Sequence, residues 1–422
     1  MLLPPALHAL TDDGRRLFLT RVARLFAYGF LSVVLVLYLV RTGMSEARIG
    51  LLLTLTLLGD TAVSLWLTTS ADRFGRRRTL VAGSALMVLA GVVFALTDDF
   101  ALLLVAATLG VISPSGNEVG PFLPVEQAAL SEIVAAGERT RVFAWYNLVG
   151  SFATATGALA GGVLTQALQD VGVAPMTSYR AVVVGYAAMG LLLGAMFARL
   201  SPGVETRAGS GAPAAARLGL HRSRGVVLRL AGLFALDAFG GGFVVQSIVA
   251  YWFHVRFGVA PALLGGIFFG ANVLAGVSVL LAARVAARIG LVNTMVFTHL
   301  PSNVLLLLVP LMPTLPLAIT VLLLRFSISQ MDVPTRQSYT MAVVSPDERS
   351  AAAGITGVAR TTGAALAPVF TGPMLATPAL LGLPFVVAGL LKIVYDLALY
   401  RGFRSLREQD AGAPPGRPVD PA

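Results

Sequence analysis

The sequence predicts an all-α membrane protein: twelve transmembrane helices arranged as two pseudo-symmetric six-helix bundles. Three observations predict it. The chain has 422 residues, 56% of them hydrophobic, at a mean hydropathy of +0.80. Only 12% are charged, about half the roughly 25% of a soluble domain, so lipid is the solvent that fits. The halves also repeat. At an offset of 215 residues Gly50 meets Gly265, Arg73 meets Arg288, Gly75 meets Gly290 and Thr79 meets Thr294. At an offset of 210, Pro124 meets Pro334, Gln127 meets Gln337, Glu138-Arg139 meets Glu348-Arg349 and Gly162 meets Gly372. Duplicated apolar halves are how many secondary transporters are built, with two bundles rocking around a site at their seam.

A spanning helix needs about 20 mostly apolar residues. In the first half such stretches run over 17–41, 46–70, 79–97, 100–132, 140–166 and 180–200. In the second they run over 227–255, 261–285, 291–312, 315–343, 350–376 and 379–401. The fourth and tenth carry Pro114, Pro121, Pro124 and Pro334 as well as charges. They are expected to be kinked or partly unwound, which is tolerated where a break faces a cavity. The expected units are an N-terminal bundle over 1–200, a linker over 201–226, a C-terminal bundle over 227–407 and a disordered tail over 408–422. The linker is rich in Gly, Ala, Pro and Arg without an apolar period, which reads as a flexible tether. Its basic residues suit anionic headgroups or a partner.

Arginines set the orientation. Arg15, Arg16, Arg21, Arg24, Arg73, Arg76, Arg77, Arg78, Arg139 and Arg141 fall on one face, against Arg41, Arg48, Arg180 and Arg256 on the other. Both termini are therefore expected in the cytoplasm, at the inner (cytoplasmic) membrane. Asp12, Asp13, Arg15 and Arg16 precede the first apolar run without a cleavage pattern after it, so that helix is expected to be retained. The net charge of +10 lies in short loops, an arrangement that does not point to nucleic acid. There is no cysteine, and the four histidines (His8, His221, His254, His299) are not spaced as metal ligands. No Walker loop suggests ATP hydrolysis. Neither an enzyme nor a cofactor is expected, a proton gradient being the suspected energy source. The expected partners are a small-molecule substrate and the bilayer, with the chain acting as a monomer.

After the second span comes Ala71-Asp72-Arg73-Phe74-Gly75-Arg76-Arg77-Arg78. This resembles the loop signature of the major facilitator superfamily, G-x-x-x-D-R/K-x-G-R-R/K. Asp72, Arg73, Gly75, Arg76 and Arg77 match by position, while Thr68 replaces the opening glycine. Gly75 permits the tight turn that the loop needs. The resemblance implies the 6 + 6 helix fold, and a cytoplasmic gate in which this loop latches the halves. The second copy, Ala286-Ala287-Arg288-Ile289-Gly290, lacks the acid, so the latch is expected to be one-sided. The fifth span carries Gly150, Gly157, Gly161 and Gly162. It is similar to the glycine-rich signature of drug/proton antiporters in that superfamily, with Ala158 in place of its proline. Small residues that let helices approach account for the same glycines.

An ionisable group at mid-membrane costs at least ~2.5 kcal/mol on insertion scales. Each one therefore needs a reason. Asp60 lies twelve residues before Asp72, about 18 Å deeper at 1.5 Å per residue. It has no cation within a turn, and Gly59 beside it admits another helix. It is a candidate for proton coupling or substrate binding, with Arg325 or Arg360 as structural partners in the alternative. Glu118, between Pro114 and Pro121, is next. Asp237, Arg325, Asp332, Arg336 and Arg360 complete the charged candidates. Glu126 is expected to reach cytoplasmic water. Asp332–Arg336 and Lys392–Asp396 are spaced to pair along one helix. Tyr146, Asn147, Gln246 and Asn272 are candidate cavity residues.

The function expected is carrier-mediated transport of a small solute by alternating access, as proton-coupled efflux through Asp60 and Glu118. The alternative is proton-linked uptake of a small organic anion held by Arg325, Arg336 or Arg360, or a non-transporting sensor on the same scaffold.

Overall fold

The computed structural model describes residues 10–135, 138–205, 220–345 and 348–403. The tail over 408–422, most of the linker (206–219) and the side chains of Asp72 and Thr140 lie outside the described residues. Every long described element is a helix. The N-terminal half contains α1 (Asp12–Ser32), α2 (Leu35–Arg41), α3 (Glu46–Phe74), α4 (Arg76–Leu96), α5 (Phe100–Leu109), α6 (Phe122–Ile133), α7 (Arg139–Asp170) and α8 (Pro175–Ala198). The C-terminal half contains α9 (Arg224–Gly242), α10 (Gln246–Phe257), α11 (Pro261–Ile289), α12 (Leu291–Leu308), α13 (Leu315–Phe326), α14 (Asp332–Ala342), α15 (Arg349–Leu366), α16 (Pro368–Ala376) and α17 (Leu383–Phe403).

Among the described residues eight spans are long and apolar enough to cross a membrane, and a ninth is the α1–α2 pair, bent by 44°. The remaining three crossings are built from shorter helices. As the prolines predict, the fourth breaks between α5 and α6 and the tenth between α13 and α14. The breaks in the first, seventh and eleventh spans were not anticipated. Gly240-Gly241-Gly242 ends α9 and Pro368 opens α16, so the latter two have local causes. Large apolar side chains such as Leu96, Leu191 and Leu102 stay exposed, which fits a lipid-facing surface.

Glycines set the crossings within each half. A Cβ on Gly157 would fall 2.0 Å from the Phe26 carbonyl oxygen, and one on Gly161 2.2 Å from that of Phe30, so α7 lies backbone to backbone on α1. The C-terminal half repeats this with α15 on α9, where Gly363 faces the Ala235 carbonyl at 2.4 Å. The turn after the second span also repeats: Gly75 has φ 95° and Gly290 φ 85°, a region that strains any residue with a Cβ.

The halves meet along α7–α11 and α3–α16. A Cβ on Gly162 would lie 2.3 Å from Pro261 O, and one on Gly50 2.4 Å from Pro368 O. Polar bonds join the halves near the same end. Gln246 Nε2 donates to Ser32 Oγ at 2.7 Å, Ser247 N to Pro114 O at 3.1 Å, Tyr251 Oη to Glu46 at 2.8 Å and Val369 N to Thr54 Oγ1 at 2.9 Å. They lie towards the turns at 42–45 and 258–260, opposite the Gly75 and Gly290 turns.

Candidate functional site

A cavity of about 650 Å³ lies between the halves, within the range of small-molecule sites. Its N-terminal wall is organised by two arginines one turn apart on α1. Arg24 is fully buried and holds both oxygens of Glu126 at 2.7 Å, and its Nη2 also reaches Glu118 at 3.0 Å. Arg21 pairs with Glu118 and donates to Tyr146 O at 2.8 Å and Asn147 Oδ1 at 3.2 Å. Thr20 and the Tyr146 hydroxyl also donate to Glu126. Buried charges persist when paired and hydrogen-bonded in this way.

Two expectations change here. Glu126 does not reach water: it is 0% exposed, because Arg24 needs its carboxylate within the bundle. Arg21 and Arg24 are not loop charges but buried ion-pair partners. Their position inside the first apolar stretch was the available signal, outweighed by the count of cations that sets orientation.

The C-terminal wall has the same construction with the signs exchanged. The first span supplies cations to carboxylates on the fourth; the seventh supplies Asp237 to Arg336 on the tenth, at 3.2 Å. Glu126 and Arg336 occupy matching positions at the offset of 210. Arg336 also binds Asp332 at 2.8 Å, the pair that the spacing predicts. Lys392 does not pair with Asp396. Its Nζ donates to Asp237 Oδ1 at 2.6 Å, because α17 turns that face onto α9. Asp396 lies 2.8 Å from His299 Nδ1 and accepts from Asn303 at 2.8 Å. His299 and Asn303 carried no sequence signal, since neither belongs to a motif and their partner is on another helix.

Three ionisable groups on the cavity wall remain outside these pairs. Asp60 Oδ1 accepts from Gly120 N at 2.6 Å and from Ser64 Oγ at 3.2 Å, and among the described residues no cation pairs with it. Its carboxylate thereby fixes the unwound segment between α5 and α6. Arg325 and Arg360 line the opposite half, each with a buried Nε that has no hydrogen-bond partner. The structural pairing of Asp60 with either arginine, left open by the sequence, is not made here.

The cavity also holds Glu118, Asp237, Gln246 and Asn272, with Asn272 Nδ2 donating to Gln246 Oε1 at 3.1 Å. Tyr146, Asn147, Asp332 and Arg336 stand behind it as supports. Gly150, Gly157, Gly161 and Gly162 serve close helix approach. In the signature loop, Glu205 accepts from Arg76 N at 2.7 Å and Arg77 N at 3.2 Å, capping α4 beside Gly75. Arg73 is exposed at the end of α3, and the Asp72 side chain is outside the described residues.

Comparison with known proteins agrees with this architecture. The family model described as Major Facilitator Superfamily matches residues 17–368. An uncharacterized membrane protein of Saccharomyces cerevisiae is 31% identical over 417 residues, covering 92% of this chain and 93% of that protein. Among solved structures, a bacterial homologue of the human lysosomal transporter Spinster superposes with a TM-score of 0.74 at 15% identity, covering 96% of this chain and 99% of that one. The nucleoside transporter NupG gives 0.70 at 13% identity, covering 93% and 100%. A D-xylose-proton symporter gives 0.70 at 15%, covering 92% and 97%. With a family match over most of its length, a duplicated helical fold and a polar cavity between the halves, the chain belongs to the Major Facilitator Superfamily and is a multi-pass membrane transporter, not an enzyme.

Proposed function

We propose that this chain is a proton-coupled secondary transporter that works by rocking its two bundles about the central cavity, with Asp60 as the proton site. One observation carries the reading: Asp60 is a cavity carboxylate whose hydrogen-bond partners are donors of its own half, with no cation paired to it among the described residues. A carboxylate so placed can release and take up a proton through the cavity that it lines, whereas Glu118 and Asp237 are each clamped by cations. The polar seam at one end of the cavity is the closed gate of one state. In this reading the other end faces the cytoplasm with both termini there, which the positive-inside pattern supports; the membrane is the inner one and the chain acts as a monomer.

Export was expected from the glycine signature. Gly157, Gly161 and Gly162 are accounted for by packing on Phe26, Phe30 and Pro261, which leaves that direction with less support. The second reading, movement of an organic anion, is favoured by Arg325 and Arg360. The test is growth of an efflux-deficient bacterium expressing the chain across a panel of toxic compounds, with Asp60→Asn as control. Protection that disappears in the variant means proton-dependent export; sensitisation that disappears means uptake. An effect identical in the variant removes Asp60 from the mechanism.

A further inference from the structure

We propose that Arg325 and Arg360 together form the seat for the charged head of an organic anion, a carboxylate or phosphate carried on an apolar body. This rests on the transport reading above but uses none of the residues of its proton step. The argument begins with what is left after pairing. On the cavity wall Arg21 is bound to Glu118 and Lys392 to Asp237. That leaves one carboxylate, Asp60, on the N-terminal half and two guanidinium groups on the C-terminal half.

Among the described residues neither arginine has an ion-pair partner. The described carboxylates within the membrane helices of their half are already taken: Asp332 by Arg336, Asp237 by Arg336 and Lys392, and Asp396 by His299 and Asn303. The Nε of each arginine is buried and unpartnered, although both side chains reach the cavity. An uncompensated buried cation is costly, and a second beside the same cavity raises that cost through like-charge repulsion. Arg325 sits in the last turn of α13, where the helix dipole favours a cation, but the dipole fills no hydrogen-bond donor. A planar guanidinium fork matches the paired oxygens of a carboxylate or phosphate.

The surroundings support an organic anion over a bare inorganic one. Phe268, Leu322 and Phe326 line the same cavity. The Arg325 guanidinium lies 5.0 Å from the centre of the Phe326 ring, which holds its plane. Gln246 and Asn272 supply neutral polar contacts nearby. The sequence left Arg336 as a third possible anion ligand. The structure removes it, since Arg336 is buried behind the wall and shared between Asp237 and Asp332.

The test is thermal unfolding of the purified full chain in detergent at constant ionic strength. Four probes share one ring and differ in head: benzoate, phenyl phosphate, benzamide and benzylamine. At least one anion should raise the unfolding midpoint saturably, and which one does so identifies the head. Benzamide and benzylamine should leave it unchanged. Arg325→Gln and Arg360→Gln should each weaken the anion response by about tenfold or more, as expected for loss of a charge-assisted bond. Without ligand both variants should unfold at or above the wild-type midpoint, because each loses a half-buried charge that has no ion-pair partner among the described residues; this separates lost binding from lost folding. Arg325→Lys should recover part of the response. A failure of the proton reading appears separately, as transport that Asp60→Asn leaves unchanged while the wild type still shows the anion response. The proposal is overturned if benzylamine stabilises instead, if the anion response survives in both glutamine variants, or if neither anion shifts the wild type.

Discussion

Lys392 binds Asp237 across two helices at 2.6 Å, while Asp396, one turn along its own helix, turns to His299 at 2.8 Å. The C-terminal bundle is thus tied between α9, α12 and α17 by side chains that sequence spacing would pair differently. A double-mutant cycle reads the difference. Lys392→Met combined with Asp237→Asn should show a coupling of about 1.5–3 kcal/mol in thermal unfolding, against about 0.5 kcal/mol or less for Lys392→Met with Asp396→Asn.

The N-terminal bundle offers a graded comparison around Arg24. Arg24→Gln leaves Glu126 with hydrogen bonds but no cation, and should cost about 3–5 kcal/mol, the usual effect of breaking a buried pair. Glu126→Gln should cost less, because Arg24 keeps Glu118 at 3.0 Å. Unfolding midpoints of the two variants in the same detergent give the order, and equal midpoints would contradict it.

Glu348 anchors the end of the linker to the C-terminal bundle. It accepts from the backbone N–H groups of His221, Arg222 and Ser223. Hydrogen bonding from the Ser223 side chain and these amides holds its carboxyl down to about 2. The sign follows from the depressed value: the contribution is fully present above the ordinary carboxylate value of about 4.3 and is lost as pH falls towards 2. The unfolding midpoint of the wild type should therefore fall more steeply between pH 5 and about 2 than that of Glu348→Gln. Parallel curves would show that the anchor contributes nothing.

The seam between the halves can be opened deliberately. A Cβ on Gly162 has the Pro261 carbonyl at 2.3 Å, so Gly162→Val must push α7 and α11 apart at the closed end. Because the chain contains no cysteine, one introduced thiol reports alone. Ser32→Cys, buried beside Gln246, should react with an impermeant reagent about tenfold faster in the Gly162→Val background, equivalent to ~1.4 kcal/mol lost from the closed seam. An unchanged rate would mean that the glycine contact does not hold the gate.

Most of the architecture was legible because lipid imposes a strong pattern: long apolar stretches, arginine-bearing loops and prolines at the fourth and tenth spans. The break at Ser32 and Val33 was not, since no proline or glycine marks it. In the site, Asp60, Glu118, Arg325, Arg360, Gln246 and Asn272 were all found as polar groups in apolar surroundings, and all line the cavity. Their partners were not legible. Which carboxylate takes which arginine depends on rotations of one helix against another, and a single sequence shows only neighbours along the same helix. Hence Asp332–Arg336 was found and Lys392–Asp237 was not. Residues 206–219 of the linker, the tail over 408–422 and the Asp72 side chain lie outside the described residues, so the expectations for them stand as they were, whereas Glu205 and residues 221–223 at the linker's ends are tied to the bundles rather than free.

The two glycine crossings at the seam are one crossing used twice. Gly50 and Gly265 occupy matching positions in the repeats, as do Gly162 and Gly372. Yet the contacts run from Gly50 to Gly372 and from Gly162 to Gly265. Each patch touches the copy of its opposite number, which is the arrangement of an isologous two-fold interface. A six-helix chain with one glycine of each kind would be self-complementary, and two copies would close both crossings at once. The polypeptide is built like a homodimer whose subunits were joined end to end. Identical subunits must present identical charges to their shared axis. Joining them released that constraint, and Glu126 on one side and Arg336 on the other are what a fused pair can hold and a symmetric one cannot.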